Sequence, residues 1–317
     1  MSLGGFLKRS VVCIGAAGIV LTVTPAAQAY EFTSRLKPGA KGADVKALQV
    51  RVAGWFPRGD QARFRLDGEF GPSTMVAVKA FQSHYGLTAT GIAGSDTLAK
   101  LNALEDKDGS TAHFDYSEFW QNSNSSCSRK ANSYAGTFKG GLVSEGRVKK
   151  NVRRLMWRLE AIRAKGGGKP IGINSGFRSV AYNDCIGGAT YSQHQFGNAA
   201  DLRMQGISNR GMRDTAKKSQ VHGIGCYSTL SHNHFDLRLE NGSLAGAQAW
   251  WWPNQDRYSR DLADDNRPCW GETRKTEASS VDGPIVGIMS DGSETPTHAE
   301  LEHFEHEGEA DDLHGLD

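Results

Sequence analysis

Two short stretches constrain this chain more than any other part of it, because each is chemically incomplete alone. The first is Ser192-Gln193-His194-Gln195-Phe196-Gly197-Asn198-Ala199-Ala200-Asp201, and the second is His232-Asn233-His234, some thirty residues on. His194 and Asp201 are seven positions apart, which fits a loop running into a strand better than a helical His-x-x-x-His pair. Gly197, Ala199 and Ala200 are small and let the backbone fold tightly between the two side chains. After His234, the alternation Phe235-Asp236-Leu237-Arg238 suits a strand, so His232 and His234 are expected on the same side of it. One carboxylate and two imidazoles make a ligand set for zinc, which in catalytic sites takes three protein ligands and keeps a fourth position for water. The candidate set is His194, Asp201 and one of His232 and His234, the other imidazole standing beside a single Zn2+ per chain. Spacing alone is weak evidence, since an isolated His or Asp is more often structural or solvated.

Residues 1–29 stand apart from the rest. Lys8 and Arg9 precede an apolar run from Val11 to Val23, and Ala27-Gln28-Ala29 follows as a small-x-small cleavage site. The run is too short for a comfortable membrane span and reads as a secretory signal peptide cut before Tyr30. Cys13 lies within it without the small residues that mark a lipoprotein signal. The mature protein is expected to be secreted or held in the cell wall, monomeric, and free of a membrane anchor.

Export changes how the cysteines are read. Cys127, Cys185, Cys226 and Cys269 remain, an even number in an oxidising compartment, and two disulfides are expected. A zinc-ligand role is the weaker reading, because no Cys-x-x-Cys spacing occurs. Four cysteines allow three pairings that sequence does not separate. Cys127–Cys185 with Cys226–Cys269 is preferred because it braces the loops before each half of the metal motif.

The net charge of +2 conceals an asymmetry: residues 281–317 hold eleven Asp or Glu and no Lys or Arg, so the rest of the chain carries +13. A basic exported body suits an anionic polymer such as a cell wall. Nucleic acid is also anionic, but the signal peptide argues against that partner. The acidic tail, assigned to residues 273–317, is low in apolar residues and is expected to be disordered. A solvated segment is the better reading of its His298, His303, His306 and His314 than a metal site.

Residues 30–104 read as an all-α three-helix unit. Leu36, Val45, Leu48 and Val52 recur at helical spacing, as do Ala77, Val78 and Phe81, and Ser95–Leu101 suggests a short third helix. Asp67-Gly68-Glu69-Phe70-Gly71-Pro72 is a turn, with Ser73 or Thr74 available to cap the second helix. Leu36-Lys37-Pro38-Gly39, Leu48-Gln49, Asp67-Gly68-x-Phe70-Gly71, Thr74, Ala77-Val78, Phe81-Gln82, Gly86-Leu87 and Gly91 resemble the helical peptidoglycan-binding module over nearly the whole unit. Most of these are core and turn positions of any small bundle, which accounts for the fold but not for the full pattern.

A polar segment, 105–114, reads as a linker, and a second domain is assigned to 115–272. Its long helix is predicted from about Glu145 to Lys165, with Val148, Val152, Leu155, Leu159 and Ile162 on one face and a basic, solvated outer side. Gly166-Gly167-Gly168 stops it, and a strand from Pro170 to Asn174 leads into Ser175-Gly176-Phe177-Arg178-Ser179. An arginine fork grips a carboxylate with two parallel hydrogen bonds, although a lone Arg is more often a surface residue. Trp250-Trp251-Trp252 could wall a cleft, but aromatic packing under a loop is the better reading. His222 is read as structural.

Ser192-x-His194-x-x-Gly197-x-Ala199-x-Asp201, with Ser175-Gly176-Phe177-Arg178-Ser179 and His232-x-His234-x-Asp236, resembles the zinc D-Ala-D-Ala carboxypeptidase family over roughly residues 115–255. That family belongs to the lysostaphin, D-Ala-D-Ala peptidase and hedgehog superfamily. The resemblance implies an α+β domain with a central antiparallel sheet. It makes His194, Asp201 and His234 the zinc ligands, Arg178 the holder of the peptide's terminal carboxylate and Ser192 a substrate hydrogen-bonder. Where the family usually carries Asp or Glu, three residues before the last ligand, this chain has Ser231. His232 is the natural replacement as general base, because lysostaphin-like relatives use His-x-His and an imidazole pKa near ~6.5 suits proton transfer at neutral pH. The implied reaction is zinc-assisted hydrolysis of the terminal D-Ala-D-Ala bond of peptidoglycan stem peptides. The rivals are an endopeptidase cutting a stem or cross-bridge amide, and a non-catalytic wall-binding protein with structural zinc.

Overall fold

The computed structural model describes residues 30–32, 34–57, 64–122, 127, 137–226, 232–238 and 250–253. The expected signal peptide, Ser231, Cys269 and the acidic tail lie outside the described residues, as do the side chains of Cys226 and of Trp250, Trp251 and Trp252.

The N-terminal unit holds α1 (Ala43–Val52), a 3-10 turn at Ala53–Trp55, α2 (Pro72–His84) and α3 (Ser95–Asn102). Val45, Leu48, Val52, Ala77, Val78, Phe81, Leu98 and Leu101 meet in its core, as their helical spacing requires. Two buried glutamines pin its turns in the same way. Gln49 donates to Glu69 O at 3.0 Å and Thr74 Oγ1 at 3.1 Å, and accepts from Gly68 N at 2.8 Å. Gln82 donates to Ile92 O and Thr97 Oγ1, both at 2.8 Å, and accepts from Gly91 N at 2.8 Å. The helix–turn device therefore occurs twice, a repeat hidden in sequence because the intervening lengths differ. It also overturns one expectation: Gly71 and Pro72 open α2, and no side chain caps it. Thr74 is consumed by Gln49 instead.

The segment predicted as a polar linker is tied down along its length. Thr111 N donates to Phe114 O and Ala112 N to Leu104 O, at 3.2 and 3.0 Å, while His113 N and Nδ1 reach the Glu160 carboxylate at 3.1 and 2.9 Å. Glu105, 1% exposed at its side chain, accepts from Arg51 Nε at 2.9 Å and also from Arg153. A short helix, α4 (Tyr116–Phe119), closed by a capping box at Asp115 and Glu118, follows.

Helix α5 runs Glu145–Lys165, with Ser144 Oγ accepting from Arg147 N at its start. Val148, Val152, Leu155, Leu159 and Ile162 enter the second core as predicted. The expectation of a solvated basic side fails at Arg158. Arg158 is buried and donates to Val50 O at 3.3 Å, and Lys165 Nζ donates to Gly54 O at 2.7 Å. Trp157 and Ala161 belong to the N-terminal core. At Gly54 a Cβ would come within 2.6 Å of Ala161 Cβ, so the absence of a side chain there allows this close approach. One helix thus serves two cores, with Arg153, Arg158 and Lys165 lying in the seam between them.

The second domain is α+β. Strands β1 (Ile171–Ser175), β2 (Ala199–Met204), β3 (Gly223–Cys226), β4 (Asn233–Asp236) and β5 (Trp250–Pro253) form one sheet ordered β1-β2-β4-β3-β5. The first four pair antiparallel, as expected; β5 is parallel to β3 and departs from the purely antiparallel sheet. Helices α6 (Val180–Cys185) and α7 (Asn209–Lys217) complete the domain. Cys127 and Cys185 form the expected disulfide, with Cα atoms 5.5 Å apart.

Candidate metal centre

Register brings the distant motifs together. Asp201 pairs directly with His234 across β2 and β4, and on its other side with Ser175 of β1. Cross-strand partners stand ~4.5–5.5 Å apart at Cβ, so two of the candidate ligands meet as sheet neighbours. His194 arrives from a 3-10 turn at Gln193–Phe196 just ahead of β2. Gly197 ends that turn in the left-handed region, at φ 72°, which favours glycine. A Cβ there would also lie 2.7 Å from Val148 O of α5. Both facts account for the glycine between His194 and Asp201.

His194 Nε2, Asp201 Oδ1 and His234 Nδ1 converge, with separations of 3.1, 3.3 and 3.0 Å. Among the described residues this is the one group of three or more His, Cys, Asp or Glu side chains arranged to hold a metal ion, and all three are buried. Donors at corners of a tetrahedron about zinc, each ~2.0–2.1 Å from the ion, stand ~3.3 Å apart. The observed spacing fits.

The outer nitrogens are also committed. Gly176 O can only accept, so the 2.6 Å contact assigns the proton to His194 Nδ1 and leaves the Nε2 lone pair facing the centre. His234 Nε2 lies 3.2 Å from Asp236 Oδ2, which leaves Nδ1 facing Asp201 and His194. Arg178 Nη2 donates to Asp201 Oδ2 at 2.5 Å and Nε to Ser175 Oγ at 3.0 Å. Ser175 Oγ in turn accepts from Asn122 Nδ2 at 2.9 Å. Arg178 therefore occupies one carboxylate oxygen of Asp201 and leaves the other for a cation.

Electrostatics follow the same division. Burial, then the charge of Arg178, pulls His194 down to about 4, keeping it neutral with its lone pair available. Burial opposes ionisation of Asp201, but its contacts with His194 and Arg178, together with His234, hold it well below the usual carboxylate range. His234 moves the other way: burial lowers it, yet the bonds to Asp201 and Asp236 raise it overall. A proton on His234 Nδ1 is thus the group a divalent cation displaces.

The structure gathers His194, Asp201, His234 and Arg178, all singled out from sequence. Ser192 stands at the start of the His194 turn, half-buried, with no side-chain capping bond. His232, also half-buried, immediately precedes β4 and is not one of the three convergent donors. In sequence, Asp236 is visible as the end of the His232-x-His234-x-Asp236 motif and Arg238 only as alternation, neither with an assigned role. The signal that could have shown their commitment to His234 is the His-x-Asp-x-Arg period, which puts all three on one side of an extended chain.

Comparison with known proteins gives a consistent picture. Residues 113–236 match the family described as Peptidase M15, and residues 41–101 a peptidoglycan binding domain. The chain is 40% identical over 195 residues to the zinc D-Ala-D-Ala carboxypeptidase of Streptomyces albus G, a span covering 62% of this chain and 70% of that protein. It is 44% identical over 69 residues to the N-acetylmuramoyl-L-alanine amidase CwlL of Bacillus licheniformis, 21% of this chain and 19% of the relative. To the spore cortex-lytic enzyme of Halalkalibacterium halodurans it is 31% identical over 103 residues, 32% of this chain and 29% of the relative. No described helix is long and apolar enough to cross a membrane.

Proposed function

The chain belongs to the M15 peptidase family of zinc D-Ala-D-Ala carboxypeptidases, and we propose that it removes the terminal D-alanine from peptidoglycan stem peptides outside the cell, after loss of residues 1–29. The observation that carries this reading is the convergence of His194 Nε2, Asp201 Oδ1 and His234 Nδ1, with the outer nitrogen of each imidazole held by an acceptor. These three would hold the zinc. Bound there, zinc would supply Lewis acidity, lowering the pKa of a bound water to about 7 and drawing charge from the scissile carbonyl.

The remaining work falls to side chains. Arg178, whose Nε and Nη2 are fixed by Ser175 and Asp201, turns the rest of its fork to the substrate carboxylate and so places the amide. Ser192, at the mouth of the turn, hydrogen-bonds the peptide. His232 takes the water's proton and returns it to the leaving amine, filling the role a carboxylate at position 231 has in the family. The N-terminal unit binds the wall, and its seam with α5 keeps the two domains together at the polymer. The acidic tail and a second disulfide at Cys226–Cys269 complete the exported chain.

Mass spectrometry of muropeptides digested with the zinc-loaded protein tests the reading. Loss of a single alanine is expected. Larger fragments point to an endopeptidase, and unchanged muropeptides to a wall-binding protein whose zinc is structural.

A further inference from the structure

We propose that Asp236, clamped by Arg238, is the positioning residue that fixes which nitrogen of His234 faces the metal, and that β3 carries glycine at 223 to leave room for that carboxylate. The proposal rests on the zinc reading above. Asp236 is 0% exposed, and every oxygen it offers is spoken for. Oδ1 accepts from the backbone N and Nε of Arg238 at 3.1 and 2.9 Å; Oδ2 accepts from Arg238 Nη2 at 2.5 Å and faces His234 Nε2 at 3.2 Å. An arginine gripping both oxygens of a carboxylate fixes its plane as well as its charge. Asp236 is therefore held in place independently of the histidine it meets.

The consequence lies in the tautomer. A neutral imidazole carries one proton and one lone pair. With the proton on Nε2 and directed at Asp236, the lone pair is on Nδ1, which lies 3.0 Å from Asp201 Oδ1 and 3.1 Å from His194 Nε2. Without Asp236, the only carboxylate left beside His234 is Asp201, and the proton is drawn to Nδ1, where it blocks ligation. The register adds a steric observation that this role explains. Gly223 pairs directly with Asp236 across β3 and β4, and a Cβ at 223 would lie 2.1 Å from Oδ2, 2.4 Å from Cγ and 2.5 Å from Oδ1. No side chain fits there without moving the carboxylate off His234.

The test is zinc affinity, measured by competition with a chromophoric chelator on the mature chain. Asp236→Asn and Gly223→Ala are expected to weaken zinc binding by roughly 10- to 100-fold, the range for loss of a group that orients a metal ligand. Gly223→Ala keeps every charge and serves if Asp236→Asn does not fold. Glu105→Gln, which alters a buried carboxylate far along the chain, is expected to leave affinity unchanged. In zinc-loaded protein the His234 Nε2–H is expected as a downfield, slowly exchanging proton that is lost in Asp236→Asn. Wild-type affinity in both Asp236→Asn and Gly223→Ala overturns the proposal. A wild-type chain that binds no zinc at all overturns the functional reading instead.

Discussion

Glu105 and Asp201 are both buried carboxylates surrounded by nitrogen bases, yet they do different work. Glu105 sits in the seam between domains, with Arg51 on one side and Arg153 of α5 on the other. Asp201 sits in the sheet, with His194 and His234 at one oxygen and Arg178 at the other. The partners decide the outcome. A guanidinium offers only N–H donors and keeps its proton, so it neutralises a buried carboxylate and leaves no lone pair for a cation. An imidazole can surrender a proton and present a lone pair, and both imidazoles at Asp201 have their second nitrogen held by an acceptor. Burial and charge alone do not mark a metal site. The mark is a set of partners able to give up a proton toward a common point.

This contrast is open to attack at several strengths. The largest effect is expected from Asp201→Asn, which removes the anionic ligand and leaves Arg178 without its partner: peptidase activity should fall to background, read by alanine release from muropeptides. His232→Ala should keep zinc and fold but slow turnover by a factor of order 10² to 10⁴; full activity would assign the base elsewhere. Glu105→Gln should retain activity at moderate temperature while costing about 3–5 kcal/mol of stability in denaturant unfolding, because two guanidiniums are left without their carboxylate.

A smaller and pH-dependent effect separates the seam further. Lys165 lies in it, donating to Gly54 O, Lys218 O and Ser219 Oγ. Burial, with the charges of Arg158 and Lys218, lowers it from 10.5 to about 8. The unfolded chain therefore binds more protons than the folded one between these values, and stability rises with pH across that window, by about 1 kcal/mol per unit. Below pH 8 the burial cost of the charged form is fully present. Comparing the wild type with Lys165→Met isolates the effect: the wild type should gain on the variant between pH 8 and 10, and parallel curves would remove Lys165 from the account.

The metal centre was more legible in sequence than its surroundings. His194, Asp201 and His234 could be found because they stand in motifs, Ser192-x-His194-x-x-Gly197-x-Ala199-x-Asp201 and His232-x-His234-x-Asp236, that resemble a zinc peptidase family; the spacing alone was weak evidence. The apolar face of α5 was legible from its period. Its basic face was not, since a 3.6-residue period separates polar from apolar positions without saying whether water or another domain meets the polar ones; Arg153 and Arg158 meet the latter. Glu105 was lost in a run of polar residues that reads as solvated. The parallel direction of β5 was hidden because alternation along one strand carries no information about its neighbour's direction. Gly223 looked like any glycine until register placed Asp236 beside it.

The most direct measurement is zinc content per chain in the wild type, Glu105→Gln and Asp201→Asn, purified alike and assayed by mass spectrometry of the metal. About one zinc per chain is expected in the first two and none in the third. Zinc retained by Asp201→Asn, or absent from the wild type, would contradict the assignment of His194, Asp201 and His234 as the metal centre.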